Sequence, residues 1–351
     1  ARAVAVIAMV MGHTLDAVLS DEVRQTTGVM VYWSFRAVTA PLFLFVAGWA
    51  FATTVRRTGL GGTALLRRYL PRVGLLFFWG YLLRWPGWAL AAFFEGRRDI
   101  WRHFLAFDAL HGVAGALGMG ALVLAVVRGA RARLWALGGL GLLIPLVTPG
   151  VRASVERGGW PLVLEQALAG ATSSFPLFPW SAYFLVGAGV GLVLAGVTRL
   201  PHAMVLAGVG TALLAGVSLW GGDPRDYDAT LVLWRLGLVA SVAGAAMALP
   251  PVLDGVLGPV GRASLWVYVA HLPLAYGWST FPGLASRVGR TQGVLPALGL
   301  ALGVLAVSLG VVLPLKTLYG RWRQRRARRG AARARRPAPA PRRRPGGAGP
   351  G

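Results

Sequence analysis

The chain lacks cysteine and is poor in charged side chains. With no cysteine among its 351 residues, it can form no disulfide framework, no metal–thiolate site and no cysteine nucleophile. Charged residues make up 14% of the chain, whereas a soluble domain carries roughly a quarter, and 56% of the residues are hydrophobic. We therefore predict an all-α integral membrane protein with many spans, rather than a globular enzyme with one anchor.

Long apolar runs, separated by charged residues or by Pro/Gly clusters, predict about ten transmembrane helices, since one span needs ~20 apolar residues. Residues 1–320 form the predicted transmembrane domain. The first residue is not Met and adjoins the first span, so we expect the natural chain to begin upstream. The predicted spans are 2–19, 37–55, 71–92, 108–127, 134–149, 177–197, 202–220, 230–249, 263–280 and 294–315.

Arginines are concentrated in the loops on one side of the predicted spans, and such a bias marks the cytoplasmic side. It favours an even number of spans, with both termini in the cytoplasm. The arginines on that side are Arg56, Arg57, Arg67, Arg68, Arg72, Arg128, Arg131, Arg133, Arg199 and Arg262. The loops on the other side contain Asp21, Glu22, Glu95, Asp99, Glu156, Glu165, Asp223, Asp226 and Asp228.

Much of the net charge of +24 comes from the C-terminal end, because thirteen of the 36 basic residues lie from Lys316 onward. Residues 321–351 are rich in Pro, Arg, Gly and Ala and lack the apolar residues of a core. We predict a disordered cytoplasmic tail there. Its charge favours contact with anionic membrane lipid over specific nucleic-acid binding.

The first predicted span contains three charged or titratable side chains, namely Arg2, His13 and Asp16. At ~1.5 Å rise per residue, His13 lies about 16 Å along the axis from Arg2, well inside a hydrocarbon core of ~30 Å. An ionisable group at that depth is costly, which indicates a functional site. Asp16 shares a helical face with His13 and can orient the imidazole as a general base. His13 and Asp16 are the predicted catalytic residues.

Three further groups are candidates for substrate binding. Asp108 and His111 repeat the acid–imidazole spacing, although Asp108 can also be the N-cap of a helix. Trp180 suits either an aromatic belt or the face of a sugar ring. Tyr268 and His271 share one face of a later span, where a buried histidine bonded to a carbonyl is an equal alternative. No metal-ligand spacing and no phosphate-binding Gly-rich loop is present, so we predict no metal site.

Five sequence blocks occur in order along residues 2 to about 280. They are Arg2-x-x-Ala-Val-x-x-Met-Val-x-x-His13, Pro41-Leu-Phe-Leu-Phe-Val-Ala-Gly48, Asp108-Ala-Leu-His111, Phe178-Pro-Trp180 with Gly187, and Ser264-Leu-Trp-Val-Tyr-Val-Ala-His271. Together these blocks resemble the membrane acyltransferase 3 family and bacterial relatives of heparan-α-glucosaminide N-acetyltransferase. The first block departs from the family pattern at Ala3, where Gly is expected.

The resemblance implies a ten- or eleven-span acyltransferase of the bacterial inner membrane. It would move an acyl group, acetyl above all, from acyl-CoA to a hydroxyl or amine of a glycan or lipid-linked sugar. His13 would be the catalytic base or the nucleophile that carries the acyl group. The residues assigned to the acyl-CoA donor, whose phosphates suit arginine, are Arg2, Arg56, Arg57, Arg68 and Arg262.

Two other classes of protein remain open at this point. A proton-coupled transporter also uses His and Asp buried in the membrane. Its usual sign is a pair of discontinuous helices in corresponding halves, and no such pair is evident. A noncatalytic membrane scaffold with a basic tail leaves His13 and Asp16 unexplained.

Overall fold

The computed structural model describes residues 2–85, 93–194, 199–220, 229–250 and 252–334. Within these ranges the ordered elements are helices, with no β-strand. They are α1 (Arg2–Val18), α2 (Asp21–Arg24), α3 (Thr27–Arg36), α4 (Thr39–Thr58), α5 (Gly62–Leu83), α6 (Arg98–Leu105), α7 (Ala109–Val126), α8 (Ala130–Glu156), α9 (Leu162–Leu168), α10 (Leu177–Leu194), α11 (Arg199–Trp220), α12 (Ala229–Ala248), α13 (Leu253–Tyr276), α14 (Leu284–Arg287) and α15 (Val294–Ala334).

Seven helical segments in the described ranges are long and apolar enough to cross a membrane. The predicted polytopic all-α membrane fold is therefore confirmed, and the number of ten spans stays a prediction. Helices α1, α5 and α13 pack against these segments, so the described residues contain ten long helical segments in all. The seven segments are Thr27–Thr58, Ala109–Val126, Ala130–Glu156, Leu177–Leu194, Pro201–Leu219, Ala229–Ala248 and Val294–Arg326.

Several predicted boundaries differ from the structure, since hydropathy is a poor guide where a helix is polar. The predicted span 134–149 is part of the longer α8, Ala130–Glu156. The predicted span 71–92 ends as a helix at Leu83, and its residues 86–92 lie outside the described ranges. Helix α5 begins at Gly62, not at 71, since its first turns contain arginines, which are good helix formers. Helix α13 begins at Leu253, not at 263, and continues through Pro259. Helix α15 runs to Ala334, past the predicted start of the tail at 321, and residues 335–351 lie outside the described ranges.

Glycines bring the backbones of α4 and α10 into direct contact. A Cβ atom at Gly48 would overlap the carbonyl oxygen of Phe184, and one at Gly187 would overlap that of Phe45. Small residues allow such close approach between membrane helices, where van der Waals packing replaces the hydrophobic effect. Gly187, which belongs to the fourth sequence block, therefore serves the close packing of these two helices.

Helix α1 lies between α13, which runs parallel to it, and α15, which runs in the opposite direction. Gly261 of α13 lies beside the first residues of α1, and the second half of α13 meets the second half of α1. At the far end of α1, the backbone N–H of Gln292 donates to the carbonyl of Val18 at 2.9 Å. Lys316 of α15 donates to the carbonyl of Arg262 at the end where α1 begins. Arg2 and His13 therefore lie toward opposite ends of the bundle.

The start of α7 is a capping box. Asp108 is the N-cap and accepts from the backbone N–H of Ala109, while Nδ1 of His111 accepts from the backbone N–H of Asp108 at 3.1 Å. Arg84 adds an ion pair to Asp108 at 3.2 Å. His111 is fully buried, with its ring 4.3 Å from that of Tyr81. Of the two alternatives for this pair, the helix cap is the one that the structure displays.

Candidate active site

A cavity of about 420 Å³ lies beside the second half of α1, among α1, α3, α4, α7, α10 and α12. Its volume is within the range of ~300–1,000 Å³ that is usual for ligand pockets. His13, Asp16 and Trp180 of the predicted site line it. The other residues that line it are Met9, Arg24, Trp33, Arg36, Ala37, Thr39, Ala40, Phe43, Leu44, Ala109, Val113, Phe175 and Arg235.

His13 is paired with His271, a residue of α13. The two rings meet edge to edge, with their centroids 5.2 Å apart and their planes 9° from parallel. Nδ1 of His13 lies 2.9 Å from Nε2 of His271, and Nδ1 of His271 lies 3.1 Å from the carbonyl oxygen of Val267. His271 is fully buried behind His13 and is not among the described residues that line the cavity. Nε2 of His13 is therefore the ring nitrogen left for a substrate.

Asp16 forms its hydrogen bonds away from His13, contrary to the predicted carboxylate–imidazole contact. Its Oδ1 accepts from Arg24 at 3.1 Å, and its Oδ2 accepts from the hydroxyl of Tyr276 at 2.9 Å. Helices α2 and α3 fold back over the end of α1 and bring Arg24 to the carboxylate. Asp16 and His13 thus share a helical face without a hydrogen bond, because the carboxylate oxygens accept from Arg24 and Tyr276 instead.

Arg36 is a residue of the cavity that sequence reasoning missed. Its side chain covers Gly12, where a Cβ atom would overlap the guanidinium, and it lies over the ring of Trp33 at 4.5 Å. Its charge acts on both His13 and Asp16. Arg36 directly precedes the predicted span 37–55, a position where an arginine usually belongs to a loop.

Arg235 of α12 was missed as well, although the sequence contains the signal for it. It is an arginine in the interior of the predicted span 230–249, and an intramembrane arginine indicates a functional site by default. Its guanidinium lies 5.8 Å from the ring of Trp180. The described lining of the cavity therefore contains three arginines, Arg24, Arg36 and Arg235, and one carboxylate, Asp16. This balance favours an anion or a developing negative charge inside the cavity.

Four predicted substrate-binding residues lie outside the described lining of this cavity. Asp108 and His111 form the cap of α7, and His271 lies behind His13. Tyr268 packs edge-on against the ring of His271 at 5.5 Å, and the His271 ring nitrogens bond to His13 and to Val267 instead of to the phenol. Tyr268 and His271 thus meet through a ring contact, and the structure displays the other alternative for His271, a buried histidine bonded to a backbone carbonyl.

The arginines assigned to the donor lie in four places. Arg2 and Arg262 are near the start of α1, beside Lys316. Arg56 donates to the carbonyl of Leu192 at 2.6 Å. It also lines a cavity of about 560 Å³ that contains Arg128, Arg131 and Arg133. Arg57 lines a separate groove between α4 and α12, and Arg68 is exposed on α5.

We expect Asp16→Asn to lower the free energy of unfolding by about 1.5–3 kcal/mol, because the partly buried carboxylate accepts one hydrogen bond from a guanidinium and one from a hydroxyl. The matched control is Asp21→Asn. Asp21 also pairs with Arg24, but at 3.9 Å and with a side chain that is 77% exposed, so we expect a change of about 0–1 kcal/mol. Thermal unfolding of the purified variants in detergent measures both. Equal effects of the two substitutions would contradict the assignment.

The fold and this cavity define a polytopic membrane protein with a polar, histidine-containing centre among its helices. The family model described as an acyltransferase domain, that of the acyltransferase 3 family, matches residues 1–313. The chain belongs to this family and is an integral membrane acyltransferase. The family resemblance read from the five blocks is thereby confirmed, and the transporter alternative is not favoured. No curated protein and no solved structure matches the chain significantly.

Proposed function

We propose that this acyltransferase moves an acyl group, acetyl above all, from acyl-CoA to a hydroxyl or amine of a glycan or lipid-linked sugar, with His13 at the reacting centre. One observation carries the proposal: His13 lines a cavity that contains three arginines inside the helix bundle, with Nδ1 bonded to His271 and Nε2 left for a substrate. A buried histidine held in this way is suited to take a proton or an acyl group.

The donor is proposed to arrive at the end of the bundle where α1 begins, which is cytoplasmic if both termini face the cytoplasm of a bacterial inner membrane. Arg2, Arg262 and Lys316 gather there. Guanidinium groups bind phosphates through charge-assisted hydrogen bonds, as the phosphates of coenzyme A require. Arg56, Arg57 and Arg68 lie in other parts of the bundle and remain candidates for binding the same donor.

The acceptor is proposed to lie on the opposite side, near Trp180. This residue lines both the His13 cavity and a second, polar cavity of about 710 Å³. Hydroxyl, guanidinium and carboxylate groups line the second cavity, a mixture that suits a ligand rich in hydroxyls. The buried Gln166 holds its wall in place, since its Oε1 accepts from Thr172 at 2.6 Å and from Ser173 at 2.9 Å. An indole face at the junction suits a sugar ring.

In the proposed reaction, the acceptor oxygen or nitrogen attacks the thioester carbon while His13 takes the acceptor's proton. A C–O or C–N bond forms, the C–S bond breaks, and the proton passes from His13 to the departing CoA thiolate. Arg24, Arg36 and Arg235 stabilise the oxyanion that develops on the thioester carbonyl. In the covalent alternative, Nε2 of His13 attacks the thioester carbon, the C–S bond breaks and CoA leaves as the thiolate, which leaves an acyl-imidazolium. The acceptor then displaces the acyl group, neutral His13 is restored, and the acceptor's proton neutralises the thiolate.

We expect the purified protein in lipid nanodiscs, supplied with acetyl-CoA labelled in the acetyl group, to move label onto an acceptor from a panel of glycans and lipid-linked sugars, or onto itself. Mass spectrometry of the protein separates direct transfer from an acyl-histidine intermediate. Label that remains on CoA with every acceptor and never reaches the protein would refute the proposed donor. Uptake of a solute driven by a proton gradient in proteoliposomes, without label transfer, would favour the transporter instead.

A further inference from the structure

We propose that His271 is a positioning residue that fixes the tautomer of His13 and so leaves Nε2 of His13 unprotonated toward the cavity. Its consequence for acyl transfer rests on the function proposed above, whereas the tautomer itself does not. The observation behind it is a chain of three groups on α13 and α1: the carbonyl of Val267, the ring of His271 and the ring of His13.

The chemistry of the three groups determines the direction of both hydrogen bonds. A carbonyl oxygen can only accept, so the hydrogen between Val267 and His271 must be on Nδ1 of His271. A neutral imidazole carries one N–H, and Nε2 of His271 is then a bare acceptor. The contact of 2.9 Å therefore requires the hydrogen on Nδ1 of His13. Neutral His13 in turn has a lone pair on Nε2.

Both rings are neutral at rest because a charge on either would be buried without a counterion. His271 is fully buried, and the Asp16 carboxylate that could balance a cation is engaged by Arg24 and Tyr276. Arg36, whose charge acts on His13, further opposes a second cation there. The pair is thus held as two neutral imidazoles that share one hydrogen bond.

The lone pair on Nε2 is what either mechanism needs. When Nε2 takes a proton or an acyl group, His13 becomes a cation whose Nδ1–H is bonded to the lone pair of His271. His271 then has the orienting role that a carboxylate has in a serine protease triad. A neutral acceptor suits a membrane interior, where a carboxylate is costly to bury.

Two substitutions separate this role from simple packing. In His271→Gln, the side-chain carbonyl can accept from Nδ1 of His13, so we expect kcat within a few-fold of that of the native protein. His271→Leu fills a similar volume but cannot accept, and we expect kcat to fall about 10²–10⁴-fold, the range of general-base catalysis, with an unchanged KM for acyl-CoA. Thermal unfolding tests whether both variants fold. Equal loss of kcat in two folded variants would overturn the proposal.

The tautomer is measured without any substrate. In protein labelled with ¹⁵N-histidine, NMR is expected to show Nδ1 protonated and Nε2 bare in both rings, with a coupling across the hydrogen bond that His271→Leu abolishes. A His13 ring protonated on Nε2, or the absence of this coupling, would overturn the inference even if acyl transfer occurs. If the coupling is observed but no acyl transfer occurs, the proposed function is refuted and the inferred tautomer is still supported.

Discussion

Replacement of His13 by alanine is expected to lower acyl transfer by about 10²–10⁴-fold or more, because it removes the proton or acyl acceptor of the reaction. His13 is the imidazole that lines the described cavity, and His271 behind it has its Nδ1 bonded to a backbone carbonyl. His271 is too deeply buried to take over the role. The loss should therefore appear in kcat, and the acyl-protein species, where it exists, should disappear as well.

The matched control for His13→Ala is His103→Ala, which removes an exposed imidazole from α6, outside the described lining of the cavity. We expect this control to transfer label at the native rate. Both variants are compared by label transfer from acetyl-CoA and by thermal unfolding, so that loss of fold is recognised. Native turnover by a folded His13→Ala variant would remove His13 from the reacting centre.

Replacement of Gly48 by alanine is expected to cause the largest loss of stability of the substitutions considered, above the ~1–3 kcal/mol usual for overpacking. The added Cβ atom would overlap the carbonyl oxygen of Phe184, and its other nearest neighbours are backbone atoms of α10. A flexible side chain can rotate away from a clash, whereas a helical backbone cannot. The two helices must therefore separate, and the wall of the cavity formed by α4 and α10 moves with them.

The control for Gly48→Ala is Gly74→Ala in α5, where an added Cβ atom has no neighbour within 4 Å. That change is expected to leave stability unchanged or to raise it by up to about 1 kcal/mol, because alanine is the better helix former. Thermal unfolding in detergent and gel filtration measure both variants. A Gly48→Ala protein that unfolds at the native temperature would show that α4 and α10 are less tightly packed than the structure indicates.

The positions of the long helices were largely predictable, because a membrane span is defined by a local run of apolar residues. The prediction was wrong where polar residues belong to a helix, as in the first turns of α5. In the site, His13 and Trp180 were found because each is conspicuous in its own segment. Arg36 and Arg235 were missed, although Arg235 lies inside a predicted span and could have been found.

The sequence by itself determined the class of protein, the course of most long helices and the place of His13 along the first of them, because hydropathy and helical rise depend on neighbours along the chain. Only the tertiary structure decided which group holds the imidazole. Asp16, three residues from His13, bonds to Arg24 and Tyr276, whereas His271, 258 residues away, meets the ring of His13. A hydrogen bond depends on direction and distance between atoms, and the packing of α1 against α13 sets both.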